Sequence, residues 1–559
     1  MNSVTTYADK PWLKSYFVGP MKLPKTMAPY PEISVYKFLE DAASEYPDNI
    51  ACEYLEQKLT YSELKLKVDK LATAFADLGV KKNDKVATIL PTCPEFIIVD
   101  YALMRLGAVH VPLSILHKAP DLLYELNESN TTTIICSYRR LERIEEIRNE
   151  LSIKNLIYTP IPLFPDYQQP EIVGDPDALK LEDLIEKYEP NPPDVAINAK
   201  EDLALLPFTG GTTGIPKGTM LSHYNITTNV IQSLQWFLHP LERGVKGKSA
   251  TLICVPIFHQ YGHWAIHASI SWGLRMILVD ARDIDRIVEL IKKVRPFSVY
   301  AVPTHYMELL QKDIKKMPII YISGAAALPS DVAGKFEKKT GVPMTEGYGM
   351  TETSPLTHIN LSAISKVTRF MTKAKQGIGV PAPDTEVKLV DPDTRVEVPF
   401  GEEGEVWIRG PQVMLGYWPE KGKGLQKDGW LATGDIGTMD EDGYFQIVDR
   451  IKDMINVSGM KVYSRVIDDT LHTHPAVRMA GVIGLPDPDR PGSERVKAFV
   501  ILRDEFKETT TSDDILDFCK ETLPPYAVPK QIEIRDFLPL TRVMKLDKKK
   551  LKAEEVGHT

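Results

Sequence analysis

The chain has 559 residues, 43% hydrophobic and 26% charged. That profile is globular, and it is too long for one hydrophobic core, so at least two domains are expected. A formal net charge of -9 argues against a general nucleic-acid binder while leaving room for a local basic site for a phosphorylated small molecule.

The amino terminus, MNSVTTYADKPWLKSY, lacks an apolar signal core, and no apolar run approaches the roughly 18 residues of a membrane span. Cysteines 52, 93, 136, 254 and 519 are scattered without a Cys-x-x-Cys pair, which reads as reduced thiols rather than a disulfide frame or a zinc site. The expectation is a cytoplasmic, multidomain protein.

Along the chain, short Val- and Ile-rich runs alternate with amphipathic segments. Strands are expected near 85–91, 133–137, 251–258, 275–281 and 318–324, with helices over 64–78 and 284–294. In the second helix Ile284, Ile287, Val288 and Ile291 recur at helical spacing. Buried strands separated by helices imply βαβ units and mainly parallel sheet. After about residue 375 the texture changes to short alternating strands at 386–391, 404–410 and 443–449, separated by Gly, Pro and Asp turns, a smaller antiparallel region. A fresh α+β pattern begins at Lys452, with strands near 480–485 and 496–502 and a helix over 512–523. The fold class is therefore α/β, in a large domain over 1–451 and a small α+β domain over 452–559.

Three motifs carry chemistry. Residues 209–218 read TGGTTGIPKG. The hydroxyls of Thr209, Thr212 and Thr213, the backbone N–H groups of Gly210, Gly211 and Gly214, and the charge of Lys217 could wrap an anion. This is not the P-loop, which needs Gly-Lys-Ser/Thr; the bland alternative is a glycine-rich surface turn. Residues 347–352 read GYGMTE. Tyr348 can offer a ring to a purine, Thr351 a hydroxyl to a phosphate and Glu352 a carboxylate to Mg²⁺, although such a segment is also ordinary helix-start chemistry. Asp435 in the Thr433-Gly434-Asp435 turn suits a ribose diol, or is a plain β-turn.

In this order, followed by Asp449-Arg450-Ile451-Lys452 and a late Lys545, the motifs resemble those of the adenylate-forming superfamily of acyl-CoA and aryl-CoA synthetases. The resemblance runs from Leu59 to Leu551. It implies that ATP, Mg²⁺ and coenzyme A are used. An acid is activated to an acyl-adenylate with release of pyrophosphate, and the acyl group then passes to CoA. By the same resemblance, Thr209 to Lys217 hold the β- and γ-phosphates, and Thr212 and Glu352 lie at the metal. Tyr348 and Gly349 border the adenine with Ala325 and Ala326. Thr351 contacts the α-phosphate. Asp435, Ile447 and Arg450 surround the ribose. Lys452 is the hinge, Lys545 the catalytic lysine bridging carboxylate and phosphate, and Gly459 lines the pantetheine channel in a second lid position. The implied partners are a carboxylic acid and CoA, with no nucleic acid and no membrane span; a homodimer is left open.

Two positions depart from the family's pattern: Met544 stands where Gly usually precedes the lysine, and Val466 where Glu usually follows the Ser-Arg pair. They motivate a rival reading as a non-catalytic adenylate- or AMP-binding protein. Loading of a carrier protein is the enzymatic alternative.

For the acid, Pro256 to Gly262 resembles the segment whose His or aromatic residue abuts the carboxylate, making His259 the candidate. His259, His263 and His267 recur every four residues, a spacing that would put them on one helical face; the absence of a matching acid nearby argues against a metal. Gly349, where acetyl-CoA synthetases place a Trp, implies room for a medium-chain, branched, alicyclic or aromatic acid, unless Trp264 or Trp272 refills the space. Two lesser signals are set aside: Gly377 to Ala382 spells G-x-G-x-x-A but its prolines oppose a helix start, and the basic run 545–552 reads as a solvated helix face.

Overall fold

The computed structural model describes residues 6–162, 178–210, 215–367, 375–541 and 545–556. Two nine-stranded sheets form its centre. The first has a parallel core of Lys85–Ile89, Val109–Pro112, Thr133–Ser137 and Asn155–Thr159, with Leu203–Leu205 continuing it. The second is parallel through Ile50–Tyr54, Arg275–Leu278, Ala250–Ile253, Ser298–Ala301, Ile320–Ser323 and Thr345–Gly349, with antiparallel strands at its edges.

Each expected strand and helix of this region is present, the strands two to four residues shorter than read in places. Helix Tyr61–Asp77 starts where Thr60 and Glu63 cap one another: Thr60 Oγ1 accepts from the Glu63 N–H at 3.2 Å and the Glu63 carboxylate accepts from the Thr60 N–H at 2.8 Å. Helix Ile284–Val294 matches its expected span. Asp283 caps it, Ile287 and Ile291 are buried on one face, and Arg295 ends it in the left-handed conformation. Helix Pro94–Leu106 is buried nearly all round, because it lies between the sheets and touches Val109–Pro112 of one and Ile50–Tyr54 of the other.

The antiparallel region is a four-stranded sheet of Glu386–Val390, Gly404–Arg409, Leu431–Met439 and Phe445–Arg450. A single turn, Ile451–Asp453, leads into the small domain. There a hairpin, Ile455–Val457 with Met460–Val462, precedes a sheet of Val477–Pro486, Glu494–Leu502 and Gln531–Ile534, with helices Ser464–Thr473, Ser512–Thr522 and Lys548–Val556. Its core of Ile467, Leu471, Val482, Val500, Ile515 and Ile532 is separate from the large domain's.

The five cysteines are buried and unpaired. Among the described residues, no helix is long and apolar enough to cross a membrane.

Candidate active site

The large cleft, about 730 Å³, opens between the four-stranded sheet, the turn after strand Ile320–Ser323 and the small domain. Strand pairing places Asp435 directly opposite Arg450. Asp435, nearly buried, accepts from Tyr348 Oη at 2.7 Å and from Arg450 Nε at 3.1 Å. Residues from two motifs, 87 and 15 positions from Asp435, thus meet at the carboxylate of a third. Ala325, Ala326, Gly349 and Ile447 line the same cleft. Ala325 holds a φ of +68°, an unusual conformation for a residue with a side chain, and its small methyl keeps the turn open to the cleft.

Lys545 enters from the small domain. Its main-chain N–H donates to Thr541 Oγ1 at 3.1 Å and its carbonyl accepts from the Thr541 N–H, which holds the side chain at the cleft. Burial, and then the Arg450 guanidinium, push the ammonium down to about 7, with Asp435 pulling the other way. His259 is felt by the same lysine: burial first and the Lys545 charge second push its imidazole down to about 3, so it is neutral at pH 7. The helical-face reading of three histidines fails at His259. It precedes helix Gln260–Ser271 with extended backbone, φ -90° and ψ 144°, and its Nδ1 accepts from the Tyr261 N–H at 3.3 Å as a cap. It therefore leaves the face that carries His263 and His267.

The phosphate segment forms a hairpin in which Thr209 pairs with Lys217 and Gly210 with Pro216. Gly211, Thr212, Thr213 and Gly214, and likewise Met544, lie outside the described residues. Thr351 and Glu352 sit in a single turn, Thr351–Thr353, beside this hairpin. Glu352 Oε1 accepts from Tyr417 Oη at 2.7 Å and from Thr209 Oγ1 at 3.5 Å, and Lys217 Nζ stands 5.2 Å over the Tyr417 ring. Among the described ion pairs none involves Glu352, a nearly buried carboxylate held by hydroxyls alone. Such a group fits a hard divalent cation, so Mg²⁺ suits it.

Tyr417 was not singled out from the sequence. It stands in Leu415-Gly-Tyr-Trp418 with no motif spacing, and strand Gly416–Tyr417 reaches the hairpin only through pairing with Pro216–Ser222. Asp449, named only as part of the junction motif, has a role the sequence does not show. It accepts from Ser464 Oγ at 3.0 Å and the Arg465 N–H at 3.2 Å, so a large-domain carboxylate caps the first helix of the small domain.

Two expectations change. A Cβ at Gly349 would lie 1.9 Å from the Pro355 carbonyl oxygen, so this glycine answers to a close backbone approach rather than to acyl volume. Lys548, expected in solvent, is paired with Asp468 at 2.6 Å and donates to Ser464 Oγ at 2.8 Å. Gly459, expected at the pantetheine channel only in a second lid position, sits in this one at the exposed turn of the hairpin, outside the cleft lining. Lys452 does line it, in the connecting turn. Val466 is 47% exposed and is not among the residues lining the cleft. Gly377 to Ala382 forms strand Val380–Pro381 and no helix. Trp272 is buried in the core, and Trp264 stacks on Tyr261 at 6.4 Å and meets Tyr300 edge-on at 5.6 Å.

A small domain presenting a lysine to the Tyr348–Asp435–Arg450 cluster of a large α/β domain is the layout of an adenylate-forming enzyme. The chain belongs to the AMP-binding enzyme family: the family's main model matches residues 39–418 and that of its C-terminal domain matches 466–545. It is 35% identical to a long-chain-fatty-acid–CoA ligase of Bacillus subtilis, over 98% of both chains. With a feruloyl-CoA synthase of an Amycolatopsis species it shares 32% identity, over 86% of this chain and 91% of that one. Among solved structures it resembles an anthranilate CoA ligase in complex with anthranoyl-AMP, with a TM-score of 0.82, 25% identity and coverage of 96% and 99%. ATP-bound MatB of Rhodopseudomonas palustris gives a TM-score of 0.80, 27% identity and coverage of 93% and 98%.

Proposed function

We infer that the acid activated by this AMP-forming acid–CoA ligase is apolar, with a medium-chain, branched, alicyclic or aromatic skeleton. The observation that carries this is the wall behind His259. Tyr261, Trp264 and Tyr300 pack there as a buried aromatic cluster below Gly324, with the Tyr261 ring 3.4 Å from where a Cβ on that glycine would stand. The three rings belong to the core and do not line the cleft in this conformation; an acyl chain received against them would find apolar contact and ring stacking.

The residues around the cleft divide the work of adenylation. Asp435, held by Tyr348 and Arg450, presents its carboxylate to ribose hydroxyls, and the Tyr348 ring borders the base. Lys217 and the Thr209 hydroxyl face the departing phosphates. Glu352 and Thr212 would hold Mg²⁺, which when bound supplies charge neutralisation on the phosphates. Lys545 supplies the positive charge that two approaching anions, carboxylate and α-phosphate, otherwise repel. Neutral His259, whose Nδ1 accepts from the Tyr261 N–H, carries its proton on Nε2 and can donate it in a hydrogen bond to the carboxylate.

In this conformation Lys545 occupies the cleft while Gly459 is remote from it, which favours the adenylate-forming step. CoA would enter after the small domain turns about Lys452 and withdraws the lysine. Lys545 in the cleft, with Glu352 and Lys217 meeting at Tyr417 beside the phosphate hairpin, speaks against a purely binding role. The relatives named for long-chain fatty acids favour a second reading, a long-chain acid, which requires the aromatic wall to part.

The test is an end-point assay with ATP, Mg²⁺, CoA and acetate, benzoate, decanoate or palmitate, reading acyl-CoA and nucleotide by mass spectrometry. Benzoate or decanoate giving most acyl-CoA, with AMP, supports the inference. A preference for palmitate selects the second reading, and a preference for acetate rejects both. Acyl-adenylate without acyl-CoA would point to a carrier protein as acceptor.

A further inference from the structure

Deep in the large domain, one carboxylate and three imidazoles share a space shut off from solvent. Asp100 lies midway along helix Pro94–Leu106, His110 on strand Val109–Pro112, and His263 and His267 one turn apart on helix Gln260–Ser271. All four side chains are 0% exposed. The two oxygens of Asp100 are used differently. Oδ1 accepts from His110 Nδ1 at 2.6 Å, and His110 Nε2 is held in turn by Thr88 Oγ1 at 2.7 Å. Oδ2 has no hydrogen-bond partner, and neither has the Nε2 of His263 or of His267, although they stand 3.0 and 3.7 Å from it.

Three buried polar atoms facing one another without an aligned hydrogen are costly unless something joins them. A tetrahedral Zn²⁺ site with bonds of about 2.0–2.1 Å keeps neighbouring donors roughly 3.3 Å apart, and the two separations from Oδ2 bracket that value. Two imidazoles and a carboxylate are a nitrogen–oxygen set suited to Zn²⁺ and its d-block neighbours. Histidines four residues apart on one helix face are the spacing that brings two rings to one ion, and here the rings stack with centroids 4.8 Å apart, 26° between planes.

The surrounding partners fit as well. Tyr101 Oη is 3.0 Å from His267 Nδ1, and His110 steadies the carboxylate oxygen left over, as outer groups do around metal ligands. His263 Nδ1 alone lacks such a partner among the described residues. The donor atoms of Asp100, His110 and His263 all lie within 4.8 Å of one another; His267 Nε2 joins them through its 3.7 Å approach to Oδ2, and His110, with both nitrogens hydrogen-bonded, stays an outer partner.

We propose that Asp100, His263 and His267 bind one divalent d-block cation, Zn²⁺ foremost. The ion is structural. It pins the helix that His259 caps to the helix lying between the two sheets, and it is apart from the Glu352 site in the cleft.

Full-length protein expressed with added Zn²⁺ or Co²⁺ is desalted, dialysed against chelator and analysed for metal. The proposal expects about one ion per chain, retained because no solvent path reaches the cluster, and a Co²⁺ protein with visible absorption of a low-coordinate site. His267→Gln and Asp100→Asn lose the ion at least tenfold, whereas His259→Ala, the cleft control, keeps it. Should the variants not fold, wild-type stoichiometry and the cobalt spectrum decide alone. Wild-type metal content near zero under both supplements, with the cluster held by protons only, overturns the proposal. So does a metal that His259→Ala loses and His267→Gln keeps.

Discussion

Replacing Gly349 by Ala separates two explanations of that glycine. The added Cβ would lie 1.9 Å from the Pro355 carbonyl oxygen, 2.7 Å from its carbon and 3.1 Å from Leu356 Cα. A contact of 3.0 Å needs about 1.1 Å of movement, and the oxygen is not free to give way, because it accepts from the Met350 N–H at 3.1 Å and from the Thr353 hydroxyl. Overpacking of this kind costs about 1–3 kcal/mol, a drop of about 1–3 °C in melting temperature for a domain of this size. Tyr348, the preceding residue in the same strand, would be displaced from Asp435. Thermal melts and kcat/KM for acetate, benzoate and decanoate follow the effect. All three acids should lose activity by a similar factor. A protein that melts as wild type and loses only its larger acids would refute the backbone argument and restore glycine as a measure of pocket volume.

Because Lys545 sits at about 7 and its cationic form is the one that can bridge two anions, kcat/KM for adenylate formation should fall as pH rises through about 7. Lys545→Arg, always charged, should flatten that limb; a rate that climbs across the same interval contradicts the assignment. His259, at about 3, should add no inflection between pH 5 and 8. Asp435→Asn removes the charge from two hydrogen bonds and should raise KM for ATP on the order of 10–100-fold, with little change in KM for the acid; equal changes in both would place Asp435 elsewhere. Glu352→Gln keeps the Tyr417 contact and should raise the Mg²⁺ needed for half-maximal rate by about tenfold or more, whereas an unchanged Mg²⁺ titration removes Glu352 from the metal.

Much of the architecture is legible in local pattern. Helix Ile284–Val294 has apolar residues at helical spacing, an Asp cap and a left-handed terminator, so its limits follow from three adjacent physical signals. Strand ends are less so: 251–258 reads as one apolar run, but pairing stops at Ile253 and the rest becomes the turn that delivers His259. The motifs named the residues that meet at Asp435, since each supplies its own chemistry.

Tyr417 is not marked in the sequence, and Asp449 is marked only as part of the junction motif, for each acts through a contact made only by tertiary pairing. Asp100 is the sharpest case. An acid amid the apolar residues of Pro94–Leu106 shows no partner within its own helix, and its imidazoles come from residues 10 and more than 160 positions away. The regular histidine spacing misled in a complementary way, because a cap residue has left the helical repeat it seems to start.

The most direct test separates the two half-reactions in Lys545→Ala. Acid-dependent exchange of pyrophosphate into ATP reads adenylation, and supplied acyl-adenylate with CoA reads thioester formation. With Lys545 acting at the cleft as described, exchange should fall by at least a hundredfold, about 2.7 kcal/mol of transition-state stabilisation, while thioester formation from the adenylate stays within a few-fold of wild type. Undiminished exchange in Lys545→Ala would contradict the account at its centre.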